Sequence, residues 1–272
     1  MPLPPVMVQL NNTSVSRDLS ALFGPLFELA EHCPELIGTM AGSFVSGTRR
    51  YGIPRFIFSG PVAAHDPIRI ALFAGLHGDE PAGCEALVRL LAGLMVQPVD
   101  ATGYDLVVYP LCNPTGYLDN TRTNRAGVDL NREFWKNSSQ PEIAILEHEL
   151  RTHRFDGIVT LHSDDTSDGL YGYAHGRLLN EALLKPALRA SERVLPRNRA
   201  AVIDGFEASE GLIHRCYDGV LSAPAQQRPQ PFDLIFETPA LAPLDLQIDA
   251  TIVALETLLD EYRVFLAHSI HL

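Results

Sequence analysis

The chain has 272 residues, 46% of them hydrophobic, and carries a formal net charge of −12 with a pI of about 5.2. That much apolar material builds a large core, while the acidic balance repels phosphate and excludes a general nucleic-acid or anionic-membrane surface. No stretch approaches the ~18 apolar residues of a membrane helix, and residues 1–10 lack the positive charge and apolar centre of a signal peptide.

Residues 14–33 place Leu19, Leu22, Phe23 and Leu26 at helical spacing, and Gly24-Pro25 is expected to kink or split that helix. The Asn11-Asn12-Thr13 sequon before it means nothing without secretion. Residues 42–60 read as a hairpin turning near Gly47. Residues 68–74 form an apolar run of buried-strand length, and 80–95 follow as a helix with Leu87, Leu90, Leu91 and Leu94 on one face. A second buried strand covers 105–110 and runs into a turn at 111–116. A long polar loop, 117–140, comes next; unbroken loops of that length are usually functional or disordered. A helix over 141–153 precedes a strand over 157–161 that ends in His162. The polar run 163–169, a helix over 178–195, an irregular Pro-rich stretch at 196–231 and a strand over 233–237 follow. The last helix carries Ile248, Ile252, Leu255, Leu259, Tyr262 and Leu266 as one core-facing stripe. No repeat, low-complexity tract or linker interrupts the chain. Strands alternating with helices predict a single α/β domain over 1–272, a mainly parallel mixed sheet with helices on both faces. Cys33, Cys84, Cys112 and Cys216 form no CxxC and read as reduced thiols of a cytoplasmic protein.

Three strand ends carry titratable groups. His77 and Glu80 lie in the turn Leu76-His77-Gly78-Asp79-Glu80-Pro81 after the first buried strand, His162 ends another, and Glu237 ends a third. Side chains leaving the same edge of a parallel sheet converge there, where open α/β sheets bind ligands. Two histidines and a glutamate are one of the ligand sets of a catalytic zinc with an open position. Glu237 is a free carboxylate placed to take a proton from water; a salt bridge or a helix cap is the plainer explanation of it. The 117–140 loop holds Arg122, Arg125 and Arg132, three guanidinium forks suited to carboxylates and oxyanions. His148 and His153 imitate a zincin pair, but five residues of helix turn them about 140° apart, so they read as a solvated helix face. Asp164, Asp165 and Asp168 read as a solvated loop, with a second metal or a basic substrate as alternatives.

The ordered set His77-Gly78-Asp79-Glu80, Asn113-Pro114-Thr115-Gly116, Arg122-Thr123-Asn124-Arg125, Gly127-Val128-Asp129-Leu130-Asn131-Arg132, Leu161-His162-Ser163 and Phe236-Glu237-Thr238-Pro239 resembles the zinc carboxypeptidase family. The resemblance spans roughly residues 70–240. It implies a carboxypeptidase-like (phosphorylase/hydrolase-like) architecture and one Zn²⁺ held by His77, Glu80 and His162. It implies Glu237 as general base, Arg122 as the group polarising the scissile carbonyl, and Asn131 with Arg132 as the clamp for a terminal carboxylate. Tyr217 is the nearest counterpart of the family's mobile tyrosine. The substrate so implied is a small peptide with a free carboxylate.

The first motif also resembles the succinylglutamate desuccinylase and aspartoacylase branch, which hydrolyses acyl amino acids and carries an extra β domain. The 35 residues after Glu237 read instead as one helix, which leans toward the carboxypeptidase-like arrangement. A non-catalytic zinc-binding protein is the third reading. Substrate side chain and oligomeric state are not encoded in any motif.

Overall fold

The computed structural model describes residues 17–63, 66–174 and 180–269. The 1–10 segment, the Asn11-Asn12-Thr13 sequon and the first residues of the predicted 14–33 and 178–195 helices lie outside them.

A ten-stranded mixed sheet organises the chain. Helix α1 (Leu19–His32) leads into a long antiparallel hairpin, β1 (Leu36–Ser46) and β2 (Arg49–Ser59). Then come β3 (Ile68–Ala74), α2 (Pro81–Val96), β4 (Tyr104–Tyr109), α3 (Pro114–Asp119), α4 (Pro141–Thr152) and β5 (Gly157–Asp164). The rest is β6 (Tyr171–Ala174), α5 (Lys185–Ser191), β7 (Val202–Ile203), β8 (Phe206–Ser209), β9 (Leu212–Ile213), β10 (Phe232–Pro239) and α6 (Leu244–Ser269). The strand order is β1-β2-β4-β3-β5-β10-β6-β9-β8-β7. The central four, β4, β3, β5 and β10, are mutually parallel, and the antiparallel pairings lie outside them.

Period-two alternation splits the core between the two faces. Ile70 and Leu72 of β3, Leu106 and Val108 of β4, and Val159 and Leu161 of β5 pack beneath α1, α2, α5 and α6. Ala71, Phe73, Val107, Tyr109 and Ile158 point the other way, toward Ile143, Leu146 and Leu150 of α4 and toward Leu130 and Phe134 of the long loop. Both faces are covered, so the central strands are apolar throughout, as parallel strands must be.

Three local expectations change. Helix α1 runs unbroken through Pro25, which sits on its exposed side, while Phe23 and Leu26 bury the other face and outweigh the missing hydrogen bond. The predicted 178–195 helix shortens to a π turn at Asn180–Leu184 followed by α5. Strand β6 follows the 163–169 run and the irregular stretch yields β7 to β9, all too short to show a period in the sequence.

Candidate metal centre and active site

The site is built at the carboxyl ends of β3, β5 and β10. Strand β3 ends at Ala74, and a positive-φ Gly75 turns the chain so that His77 and Glu80 flank the start of α2. Pro81 at the first helical position needs no hydrogen-bond partner and closes the turn. Parallel register pairs Glu237 of β10 with His162 of β5. Two strands laid side by side without a slip thus bring two distant polar groups to one edge.

His77, Glu80 and His162 are all buried, and their ligating atoms lie within 4.8 Å of one another. His77 Nδ1 is 2.6 Å from Glu80 Oε1, and His162 Nδ1 is 2.8 Å from Glu80 Oε2 and 3.2 Å from His77 Nδ1. His77 Nε2 is 3.0 Å from Asp129 Oδ1. If that nitrogen carries the ring's proton, Nδ1 presents a lone pair to a carboxylate, and a cation between them removes the conflict. Two imidazoles and a carboxylate with nitrogen lone pairs turned inward fit zinc. A carboxylate behind a ligand histidine is the usual orienting partner in such sites. Among the described residues no other group of histidine, cysteine and acidic side chains could hold a metal.

Without a metal, His77 itself carries the positive charge that the two carboxylates attract. Burial pulls His77 down, but Glu80 and Asp129 outweigh it and lift the imidazole to about 9. Burial wins at His162, which is lowered. Burial raises Glu80 and Asp129, yet the adjoining histidines, with Arg122 and Arg132 beside Asp129, hold both carboxyls well below their ordinary range. Glu237 goes the other way: burial, then Glu80, Asp164 and Asp204, push it well above the ordinary range, with Arg122 opposing. Its carboxylate makes no hydrogen bond or ion pair among the described residues, so neither the salt bridge nor the helix cap is present.

The eight residues to which the family resemblance gave roles line one cavity of about 260 Å³: His77, Glu80, His162, Glu237, Arg122, Asn131, Arg132 and Tyr217. Arg122 lies 3.6 Å from Glu80 and donates to Asp129 Oδ2 at 3.2 Å. Arg132 stacks on the Tyr217 ring, 4.2 Å from its centroid, and Tyr217 donates to Asp204. The Asn131 amide is occupied within the protein: Nδ2 is 3.2 Å from His162 Nε2 and Oδ1 accepts from the Leu221 N–H. Arg125 turns away to Asp119 and Tyr51. Asp129 escaped the sequence reading although it sits two residues before Asn131 in the quoted motif. Asp164 and Asp165 also line the cavity, whereas Asp168 is exposed and does not. His148 is exposed and His153 lies against Arg55 and Glu149, but Glu149 itself is buried, ion-paired to Arg55 at 2.7 Å and accepting from Tyr109. That helix face is therefore solvated only in part.

A family model, the succinylglutamate desuccinylase/aspartoacylase catalytic domain, matches residues 66–198. Carboxypeptidase SOL1 of Arabidopsis thaliana is 35% identical over 108 residues, 32% of this chain and 21% of that protein. Human carboxypeptidase D is 35% identical over 112 residues, 34% of this chain and 8% of that protein, so the match spans a small part of either relative. Among solved structures, a candidate metallopeptidase of Shewanella amazonensis superposes with a TM-score of 0.72 at 25% identity, covering 89% of this chain and 92% of that one. A metallo-carboxypeptidase of Burkholderia cenocepacia gives 0.68 at 17% identity, covering 90% and 68%. Carboxypeptidase A of Helicoverpa armigera gives 0.64 at 19%, covering 91% and 73%.

Proposed function

Starting from a chain of the zinc carboxypeptidase-like family, we propose that it is a zinc-dependent hydrolase that removes the C-terminal residue of a small peptide. The observation that carries this reading is one cavity lined by a buried His77–Glu80–His162 group, a carboxylate that pairs with no other described side chain, Glu237, and two arginines, Arg122 and Arg132. His77, Glu80 and His162 would hold one Zn²⁺, oriented by Asp129 behind His77. Zinc at that position supplies Lewis acidity and lowers the pKa of water.

The chain's own residues supply the rest. Glu237 takes a proton from the attacking water and returns it to the leaving nitrogen; a carboxyl raised by its surroundings is suited to both transfers. Arg122 offers N–H donors to the oxyanion that develops at the scissile carbonyl. Arg132 holds the substrate carboxylate and fixes which bond is cut. Tyr217 covers Arg132 and reaches the substrate from the loop side. We place this chemistry on one domain. Cys33, Cys84, Cys112 and Cys216 are all unpaired, which suits the cytoplasm. Among the described residues no helix is long and apolar enough to cross a membrane.

A second reading is an N-acyl amino acid deacylase using the same metal group, favoured by the family model matched over residues 66–198. The test is a series of N-blocked dipeptides with free and with amidated C-termini, each with and without chelator. Cleavage of the free acids alone, abolished by chelator, is expected. Cleavage of acyl amino acids but of no dipeptide would replace the first reading by the second.

A further inference from the structure

A buried polar network lies behind the metal group, on the face of the sheet turned away from the cavity. Period-two alternation points His162 of β5 and Glu237 of β10 into the cavity and sends the side chains of the next residues, Ser163 and Thr238, toward α6. The parallel register that pairs Glu237 with His162 also pairs Thr238 with Ser163. Gln247, in the first turn of α6, meets both. Its Oε1 is 3.1 Å from Ser163 Oγ and 3.0 Å from Thr238 Oγ1, and the two hydroxyls are 2.9 Å apart. All three side chains are buried.

The surrounding bonds leave the amide one orientation. Gln247 Nε2 donates to the Ala240 and Ala242 carbonyls at 3.2 and 2.8 Å, so Oε1 must face the hydroxyls. Both hydroxyl protons then have acceptors: each goes to Oε1, or one hydroxyl donates to the other, which donates to Oε1. A buried polar network with every group satisfied rigidifies its surroundings. The rest of this face is apolar, with Val159 and Leu161 on β5 and Leu234 and Phe236 on β10. Apolar side chains could fill the space as well, so packing alone does not call for two hydroxyls and an amide here.

The network touches the site at several points. The Ser163 N–H donates to Glu80 Oε2 at 3.1 Å, the oxygen that also faces His162 Nδ1. Thr238 Oγ1 lies 3.4 Å from the His162 carbonyl, and Thr238 follows Glu237 directly in the chain. Pro239, which ends β10, has no N–H for the ladder. Beyond the Glu237–His162 rung, the two strand ends are therefore held together by side chains as well as by backbone. Neither Thr238 nor Gln247 lines the cavity, so any effect they have on the chemistry passes through the residues they hold.

We infer that Gln247 is a positioning residue of this site. Through Thr238 and Ser163 it fixes, from the far face of the sheet, the spacing between the Glu237 carboxylate and the His77–Glu80–His162 group. The part that concerns Glu237 rests on the hydrolase reading; the part that concerns the metal group does not.

The test uses the full-length, zinc-loaded protein and three variants. Thr238→Val keeps the side-chain shape and removes the hydroxyl, Thr238→Ser keeps the hydroxyl, and Gln247→Met keeps the length and removes the amide. Zn²⁺ affinity is measured by competitive chelator titration at a temperature where circular dichroism shows every variant folded. Kd is expected to rise about tenfold or more in Thr238→Val and Gln247→Met, and to stay within about twofold of wild type in Thr238→Ser. Turnover is then measured at saturating Zn²⁺ on N-blocked dipeptides with free C-termini and on acyl amino acids. In Thr238→Val and Gln247→Met, kcat should fall on the order of 10- to 10²-fold with KM nearly unchanged, and Thr238→Ser should match wild type. A lowered Tm with Zn²⁺ affinity and kcat both unchanged makes the network a stability element only and overturns the inference. So does a loss in Thr238→Ser as large as that in Thr238→Val. Absence of all cleavage overturns the hydrolase reading, and the metal titration then decides alone: a loss in Thr238→Val that Thr238→Ser does not share upholds the positioning role, and unchanged affinity ends it.

Discussion

At the scale of single residues, the pair Glu237 and Asp129 separates chemistry from positioning. Glu237 lines the metal cavity and its carboxylate bonds to no other described side chain, so Glu237→Gln should retain metal and lose ~10²–10⁴-fold in kcat; metal content and turnover measured on one preparation would check this. Asp129 touches His77 Nε2 and does not face the cavity. Asp129→Ala should lower metal affinity about 10–100-fold, seen as a shift in a competitive chelator titration. Asp233 makes a third case. Burial pushes its carboxyl from 3.8 up to about 7, with only the Ala223 N–H opposing. The folded state therefore holds this proton more tightly than the unfolded chain, and its contribution to stability is lost as pH rises from about 4 to 7 and is constant above. Asp233→Asn should accordingly gain about 1–3 kcal/mol relative to wild type between those limits, measured by urea unfolding at pH 5 and pH 8. The position was visible in the sequence as an acid two and four residues before Ile235 and Glu237, but that its Oδ1 meets no partner among the described residues was not.

At the scale of elements, the site depends on how the β3–α2 turn packs on α3. Asn113 caps α3 by accepting from the Gly116 N–H and donates to the Leu76 carbonyl, which ties the two turns together. A Cβ added to Gly78 would land on the backbone of Gly116 and Tyr117. Gly78→Ala should therefore displace His77 and Glu80 together. Loss of metal binding, with a lowered Tm, is the expected result of equilibrium dialysis and thermal unfolding; normal metal binding would show that the turn can shift. The long loop is ordered by the same kind of local bonding. Asn124 Oδ1 accepts from the Ala126 and Val128 N–H groups, and Leu130 and Phe134 are buried under β3 and β4. A stretch that reads as polar and unbroken is pinned by two apolar anchors.

At the scale of the whole molecule, the net charge of −12 and the carboxylates around the metal cavity make one negative field. The kcat/KM of an arginine-ended substrate should fall as ionic strength rises from 0.01 M to about 0.15 M, where the Debye length shrinks to about 8 Å, while that of a leucine-ended substrate should change less. The metal group also joins elements far apart in the chain, the β3–α2 turn and the end of β5. Chelator should therefore lower Tm, corresponding to about 4 kcal/mol at a metal concentration 1,000 times Kd.

Apolar run lengths, the turn residues between them and the ordered motifs were enough to indicate a mixed α/β sheet and eight of the residues that line one cavity. Run length and side-chain type are local properties, so the sequence by itself determined them. The partnering of those groups belongs to the tertiary structure alone: Asp129 behind His77, Asn131 against His162, Glu149 buried on Arg55, and Asp233 and Thr160 left open toward a cavity. The physical reason is that hydrogen bonding and desolvation depend on which atoms approach within about 3 Å, and strand register and loop packing set those distances between residues tens to hundreds of positions apart.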